Sequence, residues 1–170
     1  PQQWPTLRSH RVAIGLYSLV DGALVRTTRV ELDVVGARTE VPELVGVAQP
    51  ALVLVNDDDL AYAKIRLDER SLATLVEHVG DFAESLPRTL CWAAAWDMTR
   101  DAEMRTRDWV DLVLRGIGSE TDLTAARMVM NSTQRVVASY TAPEHRSEVR
   151  ARWEDGVRAL ALAAEAGSDG

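Results

Sequence analysis

The stretch that decides the fold is Leu52–Ser71, LVLVNDDDLAYAKIRLDERS, where the sequence changes from a strand pattern to a helix pattern. An apolar run over 52–55 ends in the polar residues 56–59, and a second alternating run follows over 62–67. Residues 68–71 then open a long region of helical periodicity. Side chains alternate in strands and repeat every 3.6 residues in helices, so this change of period predicts an α+β fold in two parts.

Two hairpins are predicted before the change of period. Residues 10–20 alternate, and the alternation returns over 24–34 after Asp21-Gly22, a dipeptide typical of two-residue hairpin turns. The runs 51–55 and 62–67 are predicted to pair around the acidic turn between them. Four strands with one apolar face resemble half of an antiparallel β-sandwich, which needs a second layer to cover that face.

Five helices are predicted after residue 68, because apolar residues recur there at spacings of three and four. Ser71 is the expected N-cap of the first helix. The later helices are expected to begin at Ser85, Thr106, Ser119 or Thr121, and Pro143. We therefore expect a partial β-sandwich domain over 1–68 and a helical, α-solenoid-like domain over 69–170.

Composition limits the possible classes of function. A formal net charge of −7 argues against a nucleic-acid or anionic-membrane surface. The sequence lacks the apolar run of about 18 residues that a transmembrane helix needs, and its first residues, PQQWP, exclude an intact signal peptide at that position. The single cysteine, Cys91, rules out an intramolecular disulfide and favours a reducing compartment, so we expect a cytoplasmic protein.

No metal-binding residue is predicted. Histidine occurs only at positions 10, 78 and 145, and the HExxH motif of zinc helices is missing from the sequence. His145 and Glu148 are three apart and offer two ligands without a third. The acidic cluster Asn56–Asp59 lacks the glycine and the bidentate glutamate of a calcium loop, so we interpret it as a solvated hairpin turn.

No catalytic or cofactor-binding residue is predicted either. The sequence contains neither a GxSxG elbow nor a glycine-rich phosphate loop. Cys91 has no basic residue beside it and is expected in the core. Trp92 and Trp96 are expected to pack between helices, with the lining of a substrate cavity as the alternative. Local ion pairs are expected at the end of the same helix, among Asp97, Arg100, Asp101 and Glu103.

A hairpin, the Leu52–Ser71 motif and a helical array containing LCWAAAWDMTRDAEM and DWVDLVL resemble the C-terminal part of a bacterial zinc aminopeptidase of the aminopeptidase N family. In that family a strand ending in an Asn-x-Asp turn leads into an aromatic-containing strand and then into the helical C-terminal domain. The residues at those places here are Asn56, Asp57, Asp58 and Tyr62. The resemblance covers roughly 6–160 and is strongest over 52–105.

The resemblance implies a parent enzyme of four parts: an N-terminal β domain, a thermolysin-like catalytic domain, a small β-sandwich and a helical C-terminal domain. The catalytic domain of the family carries the HExxH helix, a further glutamate ligand and the GAMEN motif, and this sequence contains none of them. Zinc is therefore expected in the parent, where it would polarise the scissile carbonyl and activate water while a glutamate acts as general base. This chain alone is expected to be inactive.

The resemblance further implies that this region caps the catalytic domain and shapes the access of peptides to it. The expected partners are the catalytic domain of the parent chain and, in the intact enzyme, peptide substrates, with neither nucleic acid nor a membrane. An alternative from another class is a free-standing helical scaffold for protein–protein binding, with the five tryptophans as anchors.

Overall fold

A computed structural model of the chain describes residues 8–168. The described residues form a three-stranded antiparallel sheet followed by five α-helices, which confirms the α+β class. The strands are β1 (His10–Val20), β2 (Ala23–Val34) and β3 (Leu52–Asp57), and the helices are α1 (Glu69–His78), α2 (Ser85–Arg100), α3 (Thr106–Gly116), α4 (Leu123–Arg135) and α5 (Arg146–Ser168). Residues 1–7 and 169–170, which the two predicted domains include, lie outside this description.

The first predicted hairpin is confirmed. β1 lies in the centre of the sheet and pairs antiparallel with β2 on one side and β3 on the other. The chain reverses at Asp21 and Gly22, whose φ angles are 51° and 84°. Both values lie in the left-handed region that a two-residue type I′ turn requires, and this turn sets the pairing of Val20 with Ala23.

The second predicted hairpin is wrong, and the predicted four-stranded sheet has three strands in the described residues. β3 forms as expected, but residues 62–67 follow it as a loop. The free edge of β3 is occupied by α1 instead: the Val53 N–H donates to Ser71 Oγ at 2.9 Å, and Thr74 Oγ1 donates to Ala51 O at 2.7 Å. Residues 62–67 therefore cannot pair with β3 at that edge as a fourth strand.

Two predicted helix starts are also wrong, because in each case a nearby aspartate takes the N-cap position. Asp68 rather than Ser71 caps α1, since its carboxylate accepts the Ser71 N–H at 3.0 Å. Asp122 caps α4 by accepting two backbone N–H groups, so this helix does not begin at Ser119 or Thr121. Aspartate, serine and threonine all make good N-caps, and here the aspartates take the position. The second and third helices begin at Ser85 and Thr106 as expected, but Ser85 does not cap α2, because the N-cap position is Glu84. Pro143–His145 forms a short turn before α5.

Helix α3 lies at the centre of the helical part and contacts the other four helices. α3 and α5 run parallel to each other, because Asp111 binds Arg152 and Leu114, one turn further along α3, approaches Gly156, one turn further along α5. Val79, just after α1, approaches Gly116 at the end of α3. Added Cβ atoms on Gly116 and Gly156 would lie 2.2 Å from Val79 Cγ1 and 2.5 Å from Leu114 Cδ1, respectively. α2 and α4 contact each other and α3, but make few contacts with α1 or α5. The helical part therefore has an α1–α3–α5 side and an α2–α4 side.

A continuous hydrophobic core joins the sheet to the helices. It includes Tyr17 on β1, Phe82 between α1 and α2, and Trp92 and Trp109 on α2 and α3. The rings of Tyr17 and Phe82 meet edge to face, with centroids 5.4 Å apart. Cys91 lies fully buried in the same core, as predicted. This core crosses the predicted boundary between residues 68 and 69, and a division into two domains remains a prediction.

The sheet is apolar on its other face as well. Val12, Ile14 and Leu16 of β1 are buried but do not belong to the core shared with the helices. Because they alternate with the core-facing residues, they lie on the opposite face of the sheet. Ile14 pairs there with Val30 of β2 and with Val55 of β3, which is 39% exposed. The sheet is therefore apolar on both faces, and Val55 is the exposed part of the second one.

Candidate functional site

The acidic cluster Asn56–Asp59 begins within β3 and its first two residues are buried, whereas Asp58 is half-buried and Asp59 is exposed, so its interpretation as a solvated hairpin turn is wrong. Asn56 and Asp57 are each 1% exposed. Asp57 accepts hydrogen bonds from the Tyr17 hydroxyl at 3.0 Å and from Arg26 Nη1 at 2.9 Å. The Asn56 amide donates to Ala61 O at 2.7 Å and accepts from Ala61 N–H at 2.9 Å. These bonds close the loop that begins at Asn56.

Neighbouring charges extend this cluster across the sheet. Asp58 accepts from Arg26 Nη1 at 2.7 Å and from Arg29 Nε at 2.6 Å, and Arg29 also pairs with Glu31. The hydrogen bond from Arg26, followed by that from Arg29, holds the pKa of Asp58 below its ordinary value. The sequence carried one signal of this arrangement: Arg26 stands two residues after Leu24, on the face of β2 that points inward, where a charge needs a partner.

The structure does not bring the three histidines together. His10 begins β1, His78 ends α1 beside Asp81, and His145 lies in the turn before α5. His145 and Glu148 do line one groove, as their spacing suggested. Within residues 8–168, however, no group of three or more His, Cys, Asp or Glu side chains is placed to hold a metal ion. The side chains present therefore do not fit the zinc site of the family's catalytic domain.

The α1–α3–α5 side carries two charged grooves. One, of about 660 Å³, lies between the first turns of α3 and α5. A second, of about 340 Å³, lies between α1 and α3 and shares Asp108 and Asp111 with the first. Both signs of charge line the larger groove, and Arg152 of α5 binds Asp111 across it. Interspersed charges of both signs are typical of a surface that stays in water.

The α2–α4 side has a different character. Apart from Leu162 on α5, the large hydrophobic residues exposed in the helical part belong to α2, to α4 or to the residues just after α4. They are Leu86, Leu123, Met128 and Tyr140, with exposures of 45%, 81%, 40% and 43%. This side therefore presents large apolar groups to its surroundings, beside exposed arginines such as Arg127 and Arg135, whereas charges line the grooves of the opposite side.

Trp96 and Tyr140 form an aromatic corner on the α2–α4 side. Their rings meet edge to face with centroids 5.8 Å apart, and the Trp96 ring also lies 5.8 Å from that of Trp109. Packing of Trp96 between helices is thus confirmed, although it is only partly buried. Tyr140 ends a π-helical turn, Val136–Tyr140, and turns of this kind occur frequently at functional sites.

A buried ion pair fixes α2 to the segment before α4. Arg88 donates to Glu120 through Nη2 at 2.9 Å and Nε at 3.0 Å, and Trp92 Nε1 donates to the same carboxylate at 3.0 Å. The side chains of Arg88 and Glu120 are 7% and 0% exposed. Burial alone would raise the pKa of Glu120, but the hydrogen bonds from Arg88, the Asp122 N–H and Trp92 lower it below its ordinary value. The pair joins the aromatic corner's helix to α4.

The comparisons with known proteins agree with this fold. Residues 52–169 match a family model described as ERAP1-like C-terminal domain, which makes the chain a C-terminal part of a peptidase. The chain is also 58% identical over 167 residues to Aminopeptidase N of Streptomyces lividans, an alignment that covers 97% of this chain and 19% of the relative. It therefore belongs to the aminopeptidase N family, and spans about a fifth of the length of this relative. No helix within residues 8–168 is long and apolar enough to cross a membrane.

Proposed function

We propose that this chain is a non-catalytic C-terminal region of a zinc aminopeptidase that removes N-terminal residues from peptides, and that it caps the catalytic domain and shapes peptide access. The observation that carries the proposal is the 58% identity to Aminopeptidase N over 97% of the chain. The zinc, the general base and the groups that hold the substrate's amino terminus would belong to the catalytic domain, which is the proposed partner.

The state of two reactive side chains, Cys91 and Tyr17, supports a non-catalytic role for this chain. The Cys91 thiol is fully buried, and burial, followed by the charge of Asp57, raises its pKa. Burial also raises the pKa of the Tyr17 phenol, and the charge of Asp57 adds to the effect. Both groups are therefore held in their protonated forms, which are poor nucleophiles and poor bases.

The α2–α4 side is the side proposed to face the catalytic domain and the incoming peptide. Surfaces that become covered in a larger assembly are depleted of charge and rich in aromatic residues and methionine. The α2–α4 side offers the aromatic and methionine residues of such a surface, with Met128, Tyr140 and the half-buried Trp96, whereas the α1–α3–α5 side carries the charged grooves. The charged side would then face solvent.

The aromatic corner is the proposed contact for the part of a peptide beyond its first residues. Tyrosine and tryptophan offer large apolar area together with one polar tip, so they accept many peptide sequences. A short aminoacyl reporter would not reach the corner, but a longer peptide would. The test is the effect of Tyr140→Ala on cleavage of peptides of increasing length by the full-length enzyme, with Leu162→Ala as the matched control on the opposite side.

The finer description of the fold is part of the same proposal. The second apolar face of the sheet, on which Val55 is 39% exposed, would receive another β layer of the parent, which completes a sandwich. The alternation of an α1–α3–α5 side with an α2–α4 side would continue as a solenoid-like array. The cytoplasmic location expected from the single cysteine remains a prediction.

Three of the five tryptophans do not favour a free-standing scaffold, and Trp4 lies outside the described residues. Trp92 and Trp109 are fully buried and Trp153 is 8% exposed, so they are core residues rather than anchors for a partner. The alignment also places 97% of the chain within an aminopeptidase sequence.

A further inference from the structure

Tyr62 stands fully in solvent, with a relative exposure of 105%. It lies in the loop between β3 and α1, and its neighbour Leu60 is 44% exposed. Val55, near the end of β3, is 39% exposed. A tyrosine side chain wholly in water, two residues along the loop from the exposed Leu60, offers a large amphipathic area that a partner can cover.

The chain on both sides of Tyr62 is fixed. Before it, the buried Asn56 amide holds both the N–H and the carbonyl of Ala61, at 2.9 and 2.7 Å. Asn56 itself adopts a left-handed backbone conformation, with φ of 59°, which its short polar side chain tolerates. The ring therefore projects from a residue whose predecessor is pinned to the end of the sheet.

After Tyr62 the chain is fixed to the far end of α2. Lys64 Nζ binds Asp101 at 2.7 Å, and Arg66 binds both Asp101 and, at 2.6 Å, Glu103. Asp101 and Glu103 thus pair with this segment. The local pairs expected at the helix end form as well, because Arg100 pairs with Asp97 at 2.7 Å and with Asp101 at 3.9 Å. Ile65 and Leu67 of the same segment are buried in the core. A side chain presented from a fixed backbone loses little further conformational freedom when it binds.

We propose that Tyr62 is an interdomain anchor: its ring inserts into an apolar pocket on the remaining polypeptide of the aminopeptidase, and its hydroxyl donates to an acceptor at the rim. A tyrosine in such a pocket removes roughly 150–250 Å² of surface from water, and tyrosine is enriched among the residues that dominate interfaces. Leu60 would extend the apolar contact.

The occupant is the same polypeptide rather than a second copy of this chain. The relative is only 19% covered, so about four-fifths of an enzyme of that length is available as the partner. A partner in the same polypeptide acts at an effective concentration in the millimolar range, far above that of a free protein. This inference rests on the proposed place of the chain within a larger aminopeptidase, and it names a further contact between this chain and the remaining polypeptide.

Hydroxyl-radical labelling of the full-length enzyme tests the burial of Tyr62. Modification of Tyr62, followed by mass spectrometry, should be at least about tenfold slower in the native enzyme than in urea, the change that a stabilisation of about 1.4 kcal/mol produces. Equal rates in the two states would overturn the proposal. Protection that disappears on dilution would overturn it as well, since it would identify a second copy as the occupant.

Proteolysis supplies an independent measurement, because Lys64 is the single lysine of this chain. Cleavage after Lys64 by a lysine-specific protease requires local opening of the segment that Tyr62 would anchor. In the full-length enzyme, Tyr62→Ala should speed this cleavage at least about tenfold. Tyr62→Phe, which keeps the ring, should stay within about threefold of the wild type, because it loses only one hydrogen bond.

Equal cleavage rates for Tyr62→Ala and the wild type would contradict the anchor. The two proposals fail separately. If the role in peptide access is wrong, Tyr140→Ala will have the same effect on the cleavage of short and long peptides, while Tyr62 stays protected from labelling. If the anchor is wrong, Tyr62 labels freely whatever the kinetics show.

Discussion

Ser71 Oγ accepts a 2.9 Å hydrogen bond from the backbone N–H of Val53, and this bond joins the first helix to the edge of the sheet. Ser71 is 1% exposed, and its hydroxyl donates in turn to Asp68 Oδ2 at 2.5 Å. The helix cap and the strand edge are thus one hydrogen-bonded unit. Through it the two parts of the chain are held at a fixed junction.

Replacing Ser71 by alanine should destabilise the chain by about 2 kcal/mol, because the partly buried Val53 N–H loses its acceptor. The free energy of unfolding in urea measures this change. Ser85, which is exposed at the start of α2, provides the control, and Ser85→Ala should change the same quantity by no more than about 0.5 kcal/mol. A Ser71→Ala variant as stable as the control would show that the junction does not depend on this bond.

The buried pair Arg88–Glu120 should be costly to break. Glu120→Gln leaves the Arg88 guanidinium, whose side chain is 7% exposed, without its counter-charge. We expect a loss of about 3–5 kcal/mol in the free energy of unfolding. Asp97→Asn, which removes the more exposed pair with Arg100, should cost less than about 1 kcal/mol. Similar losses in the two variants would contradict the assignment of Arg88–Glu120 as a buried clamp.

The same pair predicts a dependence on pH. The pKa of Glu120 is lower in the folded chain than its ordinary value, so its contribution to stability is complete above the unfolded pKa of about 4.3 and is lost as the pH falls through the folded pKa. Asp58 and Asp68, whose pKa values are also lowered, act in the same direction. The difference in unfolding free energy between the wild type and Glu120→Gln should therefore shrink below about pH 4.3. If this difference in unfolding free energy stays constant from neutral to acidic pH, the ionised Glu120 does not contribute to stability in this way.

Gly15 tests the packing beneath the acidic turn. A Cβ at this position would lie 2.2 Å from Asp57 Oδ2 and 2.8 Å from Tyr17 Cε2, so Gly15→Ala should displace the cluster and cost about 1–3 kcal/mol. Gly118 is the matched control, since its nearest neighbour would lie 3.7 Å away, at Leu160 Cδ2. Gly118→Ala should therefore change thermal stability much less. Equal melting temperatures for the two variants would show that Asp57 does not pack against Gly15.

Local patterns in the sequence predicted the elements that depend on local chemistry. The Asp21-Gly22 hairpin follows from its turn residues, and the structure has it. α2 and α3 begin at Ser85 and Thr106 as expected, although neither residue caps its helix. The run 62–67 failed, because alternation tells which residues are buried and not whether a strand finds a partner. Ile65 and Leu67 are indeed buried, but in a loop.

The candidate site could not be predicted from the sequence, because it is built from contacts between residues that are far apart in the chain. Asp57 is buried because Arg26 and Tyr17, which are 31 and 40 residues away in the chain, reach it across the sheet. The aromatic corner likewise forms between two helices, through Trp96 and Tyr140. The neighbouring charges in the sequence predicted a solvated turn at Asp57 and local ion pairs at Asp101. In the structure, Asp57 binds Arg26, and Asp101 binds Lys64 and Arg66, which are distant in the chain.

The most direct test of the proposed function is the ratio of kcat/KM for a long peptide to kcat/KM for an aminoacyl reporter, measured on the full-length enzyme. Tyr140→Ala should lower this ratio about fivefold, since an aromatic contact contributes about 1 kcal/mol, and Leu162→Ala should leave it unchanged. The reporter alone should be cleaved at the wild-type rate by both variants. A ratio that Tyr140→Ala leaves unchanged would contradict the role of this region in peptide access.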